Sequence, residues 1–303
     1  MYSDYWKDQG RVASLQEKFQ GREQEKSEES LGPVGEALVF NRIQSGIFGA
    51  GISARPASRY DDYFHGADLL VEAAHFQEPV VSTVDVTLNQ EDIKGVLRRP
   101  HFSAEENPRP IGLNGKLGRI KKHIDYVANI NPGTARSLGA WLQGGGLHER
   151  QTDANREYFK MAERGMLVKY YVSPESADEP NKLRYVLGGP QVVLSLDAPF
   201  VKHVITDEAR RERHVGVIDT VLQAEMGYGI VALQDYLDKL VKQSSNRNFM
   251  FDSHYTATKA WADLFNGVEQ RDIFERAISE ARSNKDISGQ VGYYIDTWNK
   301  AFA

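Results

Sequence analysis

The chain contains no cysteine, which excludes disulfide bonds, iron–sulfur clusters and zinc sites built on thiolates, and favours an intracellular, cytoplasmic protein. Its first eight residues have neither a basic start nor an apolar core, so they predict no signal peptide. No run approaches about 18 apolar residues. We therefore expect no membrane-spanning helix and no membrane partner.

The signatures of several enzyme classes are also missing. The eight histidines show no His-Glu-x-x-His spacing, which argues against a zinc hydrolase. There is no Gly-x-Ser-x-Gly elbow, and the glycines at 144–146 lack the Gly-Lys-Ser/Thr ending of a phosphate-binding loop. The net charge of −5 argues against a generally basic nucleic-acid coat protein, but local basic clusters can still bind nucleic acid.

The most informative feature present is a pair of alternating segments, 66–72 and 82–87, separated by a short break that contains Pro79. Both are rich in aliphatic or β-branched residues and together predict a β-hairpin. Centring the hairpin on the break places Asp68 opposite Asp85. Since side chains alternate between the faces of a strand, both carboxylates then share one face, and the other face is almost wholly apolar.

Paired carboxylates of this kind indicate a metal site. Directly opposite side chains on a hairpin lie about 5 Å apart at Cβ, where like charges destabilise the sheet. A divalent cation removes that repulsion, and hard cations such as Mg²⁺ bind carboxylate oxygens. The alternative is that Asp68 and Asp85 are solvated side chains on an exposed face, or that a one-residue slip separates them.

The chain has 303 residues, of which 41% are hydrophobic, enough for one large or two modest domains. Residues 1–30 are polar and predict a surface helix or an arm. Helical and strand patterns alternate over 31–205, and residues 206–303 are helical in pattern throughout. This order predicts an α/β (α+β) core followed by a helical C-terminal region, which either packs on the core or mediates homo-oligomer or protein contacts.

The acidic positions resemble a known pattern. Glu36 lies on a first predicted helix, Asp68 follows a glycine at the start of a strand, and Asp85-Val86-Thr87 lies in the next strand. This arrangement over residues 30 to 200 is similar to the PD-(D/E)xK nuclease superfamily, and to uncharacterised bacterial proteins with a Gly-x-Asp and an Asp-Val-Thr strand. The resemblance implies a restriction-endonuclease-like mixed sheet flanked by helices and Mg²⁺- or Mn²⁺-dependent phosphodiester hydrolysis. It also implies that Asp68 and Asp85 bind the metal and that Glu36 completes or orients the site.

The chain departs from that pattern at Thr87, where the family has a lysine. A lysine there supplies positive charge near the nucleophile or the developing negative charge, which threonine cannot do. If the site is catalytic, we expect a cation from the helix at 116–130 to replace it. Lys121 borders the apolar stripe of that helix and is our choice, with Lys122, Lys94 and Lys116 as alternatives. Otherwise the protein is an inactive scaffold that retains the nuclease-like fold.

Basic residues surround the hairpin in sequence and are interleaved with aromatic ones. We predict nucleic-acid contacts from a set of four cations, Arg55, Arg59, Lys116 and Lys122. Cations beside aromatic side chains are typical of surfaces that hold a nucleic-acid backbone. The alternative for each of them is an ordinary solvated charge.

Overall fold

The computed structural model describes residues 32–57, 66–74, 80–89, 112–144, 153–164, 167–172, 182–187, 189–243, 248–285 and 287–303. The N-terminal arm predicted over 1–30 lies outside the described residues, as do Arg59 and Lys94.

The described residues form a mixed α/β structure that is mostly helical, as the coarse fold prediction required. The helices are α1 (Gly32–Gln44), α2 (Leu113–Asn129), α3 (Pro132–Gln143), α4 (Asp153–Arg164), α5 (Ala198–Thr206), α6 (Arg211–Gln243), α7 (Phe249–Asn266), α8 (Val268–Ser283) and α9 (Ser288–Ala301). The strands are β1 (Ile52–Pro56), β2 (Leu69–Ala73), β3 (Val80–Asn89), β4 (Leu167–Val172), β5 (Lys182–Leu187) and β6 (Gln191–Asp197). In the described ranges no helix is long and apolar enough to cross a membrane.

Four strands form a mixed sheet in the order β1-β2-β3-β6, and β4 and β5 form a separate hairpin. β1, β2 and β3 are antiparallel neighbours, whereas β6 runs parallel to β3. Leu69 lies opposite Val84, which confirms the predicted register of the hairpin. Parallel strands need a long crossover connection. Because β6 runs parallel to β3, the chain between them crosses over through a segment that contains helices.

The sequence pattern of residues 47–65, with glycines at 49 and 51, predicts a loop, and that prediction is wrong where strand β1 forms. Gly49 and Gly51 precede it with φ angles of 99° and 78°, and the strand ends at Pro56. Proline is tolerated at this position because β1 is an edge strand of the described sheet. A strand of five residues bounded by glycine and proline is too short for its alternation to be recognised in the sequence. Ile52 and Ala54 are nevertheless both buried.

Helices cover both faces of the sheet. On the apolar face, Gly35 of α1 approaches Leu88, and Gly229 of α6 approaches Val192. On the opposite face, α2 contacts Asp85. Thr83 and Asp85, which lie on the α2 face of β3, are buried.

The C-terminal helices close the outer edge of β6 with polar side chains. The Tyr294 hydroxyl donates to the Val193 carbonyl at 2.7 Å, and the Gln290 amide donates to the Ser195 carbonyl at 2.8 Å. The Ser195 N–H donates to a Glu225 carboxyl oxygen at 2.6 Å. We call Ser195, Glu225, Gln290 and Tyr294 the sheet-edge cluster.

The same helices share one continuous apolar core with the sheet. Trp261 of α7 and Trp298 of α9 are fully buried in the cluster that also contains Val193 of β6. Residues 206–303 therefore pack on the sheet. The domain boundary at residue 205 stays a prediction, as does a role of this region in association.

Candidate functional site

Two aspartates meet where β2 begins beside β3. The Asp68 N–H donates to the Val84 carbonyl at 2.9 Å, which continues the ladder one residue beyond β2. The Asp68 carboxyl accepts from the Val86 N–H at 2.5 Å and forms a side-chain hydrogen bond with Asp85. The predicted pairing of the two carboxyls on one face is thereby present, and Asp85 is buried.

Two cations from the first turns of α2 reach the same carboxylate. The Lys116 ammonium donates to one Asp85 oxygen and lies 3.3 Å from the Val86 carbonyl. The Arg119 guanidinium contacts the other Asp85 oxygen through Nη2 at 3.3 Å. Positions three apart on a helix lie on one side of it, so both cations project towards β3. We call Asp68, Asp85, Lys116 and Arg119 the sheet-face cluster.

Burial and mutual repulsion shift the titration of the aspartates. Burial, followed by the Asp85 charge, raises the pKa of Asp68 to about 8, although the hydrogen bond from Val86 opposes the shift. Burial also raises the pKa of Asp85, against the opposing effect of Lys116 and Arg119. Two ionised carboxylates only accept hydrogen bonds, so the bond between them requires one proton. We assign that proton at neutral pH to Asp68, because both cations face Asp85.

Glu36 of α1 lies within electrostatic reach of this pair. Its charge contributes to the raised pKa of Asp68. However, within the described ranges no three histidine, aspartate or glutamate side chains lie close enough together to form a ligand set for a metal ion. The predicted role of Glu36 as a third ligand or an orienting group stays a prediction.

The donor atoms at the pair fit a hard cation nevertheless. Mg²⁺ is typically held by one or two carboxylates and keeps several waters. Asp68 and Asp85 supply carboxyl oxygens, and the Val86 carbonyl lies 3.3 Å from the Lys116 ammonium that also contacts Asp85. A divalent ion bound there would also offset the repulsion between the two carboxylates.

Lys121 does not reach the site, and the prediction that its ammonium points towards Asp85 or Thr87 is wrong. Its ammonium donates at 2.8 Å to both Asp125 and the Tyr236 hydroxyl. Five residues along a helix turn the side chain by about 140°, so Lys121 cannot share the direction of Lys116. Lys116, which was one of the alternatives, takes the place beside Asp85.

The residues predicted to contact nucleic acid lie in different environments. Arg55 pairs with Glu72 on the same sheet face, and Lys116 pairs with Asp85. Lys122 is exposed on α2. Arg119 was not among the chosen site residues, although its spacing of three from Lys116 was a readable signal that both face one way.

No family model matches the chain, and neither a curated protein nor a solved structure gives a significant match. The resemblance to the PD-(D/E)xK superfamily therefore rests on the residues and on the geometry of the site. It stays a prediction.

Proposed function

We propose that this protein hydrolyses phosphodiester bonds of nucleic acid with the help of a divalent metal ion, Mg²⁺ or Mn²⁺. The observation that carries the proposal is the sheet-face cluster: two hydrogen-bonded carboxyls with a lysine ammonium on one of them. A helix, three antiparallel strands and, after a crossover of three helices and a hairpin, a strand parallel to the third follow one another along the described chain, and this order also supports the nuclease-like core that the resemblance implies.

Each residue of the cluster has a distinct task in this proposal. Asp68 and Asp85 would hold the ion, which polarises the scissile phosphate and helps to generate hydroxide from water. Lys116 supplies the positive charge that the chain lacks at Thr87 and stabilises the extra negative charge of the transition state. Glu36 adds negative charge that favours a cation beside Asp68.

A second candidate function is an inactive scaffold that retains the fold. The observation that favours it is the low exposure of Asp85, whose side chain is only 3% exposed and already contacts two cations. Buried ion networks of this kind also occur for purely structural reasons. The two candidates differ in whether the pair binds a metal and supports turnover.

Cleavage of labelled DNA and RNA with Mg²⁺ or Mn²⁺ tests the proposal, with wild type compared with Asp85→Asn. The matched control is Asp125→Asn, because Asp125 is also an α2-associated carboxylate with a lysine partner but lies outside the cluster. We expect a loss of more than about 10-fold only in Asp85→Asn, since changes even to the outer-shell partners of metal ligands cost about 10- to 100-fold. Equal activity of all three proteins, or no metal-dependent cleavage at all, would favour the scaffold.

A further inference from the structure

The Arg119 side chain lies directly against the backbone of Gly66, two residues before Asp68. A Cβ added at Gly66 would come within 2.7 Å of Arg119 Nη2 and 2.9 Å of Nη1. Gly66 also has a φ of 63°, in the left-handed region that side chains disfavour. Position 66 therefore requires glycine both for its backbone and for the guanidinium that lies on it.

Among the described residues, Arg119 uses little of its hydrogen-bonding capacity. A guanidinium carries five N–H donors. In the described part of the chain it reaches Asp85 through Nη2 at 3.3 Å, and its buried Nε has no acceptor there. The side chain is 30% exposed, so the guanidinium is anchored near the carboxyl pair and still reaches solvent.

Lys116 differs in this respect. Its side chain is 15% exposed, and its ammonium is engaged by both Asp85 and the Val86 carbonyl. An ammonium has three donors and acts as a point charge, whereas a guanidinium can bind two phosphate oxygens at once. Of the two cations in the sheet-face cluster, Arg119 is the one suited to an external anion.

We propose that Arg119 binds a backbone phosphate of the nucleic-acid substrate beside the Asp68–Asp85 pair, and that Gly66 sets the position of its guanidinium. This inference rests on the proposed function. It assigns substrate binding to Arg119 and leaves Lys116 to the chemical step.

The test is fluorescence anisotropy of a labelled oligonucleotide in EDTA at several salt concentrations, so that binding is separated from cleavage. The variants are Arg119→Gln, Arg119→Lys and Gly66→Ala, with Arg276→Gln, an exposed arginine on α8, as the matched control. Thermal melting of each variant establishes that it is folded. If Arg119→Gln does not fold, Arg119→Lys and Gly66→Ala decide the question.

We expect Arg119→Gln to weaken binding about tenfold and to reduce the slope of log affinity against log salt by about 1, since one phosphate contact is lost. Arg119→Lys should keep the slope and lose part of the affinity. Gly66→Ala changes no charge yet should weaken binding, because the added methyl displaces the guanidinium. The control should match wild type.

Two results would overturn the inference in distinguishable ways. In the first, the variants at positions 119 and 66 bind the oligonucleotide as tightly as wild type and with the same salt dependence. Arg119 is then not a phosphate ligand, and the nuclease proposal stands. If wild type shows neither saturable binding nor metal-dependent cleavage, the proposed function fails and this inference fails with it.

Discussion

Two buried polar clusters lie on neighbouring strands of the sheet and are built in opposite ways. Asp85 of the sheet-face cluster lies opposite Val193 in the pairing of β3 with β6. The Val193 carbonyl accepts a hydrogen bond from Tyr294 of the sheet-edge cluster. At the edge, side chains bond to the free backbone groups of β6. On the face, carboxyls meet each other and two cations.

The difference lies in what each cluster's buried polar groups contact. Burial raises the pKa of Glu225 well above its usual range, and this fully buried carboxyl accepts the hydrogen bond of the Ser195 N–H. Unpaired edge groups would otherwise offer a site for another strand. The sheet-face cluster instead brings two carboxyls and two cations together at one point.

The largest effect that distinguishes the clusters is expected at Glu225. We expect Glu225→Ala to lower the free energy of unfolding by about 3 kcal/mol, because it leaves the Ser195 N–H without its acceptor and opens a cavity. Glu225→Gln should stay within about 1 kcal/mol of wild type, since an amide has the shape of a protonated carboxyl and still accepts the bond. Urea denaturation near neutral pH measures both changes. A Gln variant as unstable as the Ala variant would mean that the carboxyl is ionised.

The second contrast lies within α2, between Lys116 and Lys121. Lys116→Met should lower single-turnover cleavage by about 100-fold, because it removes a cation that stabilises transition-state charge. Lys121→Met should leave cleavage unchanged, because its ammonium binds Asp125 and Tyr236. The reverse pattern would restore Lys121 as the catalytic lysine.

A third prediction concerns the pH dependence of stability through Asp68. Its pKa is about 8 in the folded protein, against an ordinary value of 3.8. Between these values the folded state holds a proton that the unfolded state has released, so the free energy of unfolding falls as the pH rises from 4 to 8. Asp68→Asn removes this contribution.

Urea denaturation of wild type and Asp68→Asn at pH 5, 6.5 and 8 measures the effect. We expect the variant to become progressively more stable than wild type as the pH rises. A constant difference across this range would show that Asp68 titrates normally.

The smallest effect is expected at the other end of the edge cluster. Tyr294→Phe should cost about 1 kcal/mol, because the lost hydroxyl donates to the Val193 carbonyl in a buried position. Tyr228→Phe is the matched control, since its hydroxyl donates to Asn299 at an exposed position. Thermal melting should rank Tyr294→Phe as the less stable of the two, and equal melting temperatures would argue that the edge bond contributes nothing.

The sequence predicted the hairpin well because its signal is local. Alternation over β2 and β3 defines both the faces and the register, and these placed Asp68 beside Asp85. The helical patterns of α2 and α6 were likewise strong enough to predict where those helices lie. Strand β1 was missed because five residues bounded by glycine and proline carry little periodicity.

The partners of Asp85 depend on how α2 is oriented over the sheet, and this orientation is a tertiary property. The helical pattern identified the apolar side of α2. It did not determine which of the two polar borders of that side faces β3. Lys121 and Lys116 border the same stripe, and only the docking of the helix separates them. The edge cluster is similar: Glu225 lies between buried Leu222 and Met226, and its use emerges only when β6 is placed beside α6.

A titration with Mn²⁺ monitored by electron paramagnetic resonance tests the central claim most directly. It is carried out at pH 8, where more of the Asp68–Asp85 pair has released its proton. We predict one saturable Mn²⁺ site per chain in wild type, loss of that site in Asp85→Asn, and its retention in Asp125→Asn. Identical binding by all three proteins, or no saturable binding by wild type, would contradict the claim that the sheet-face cluster is a metal centre.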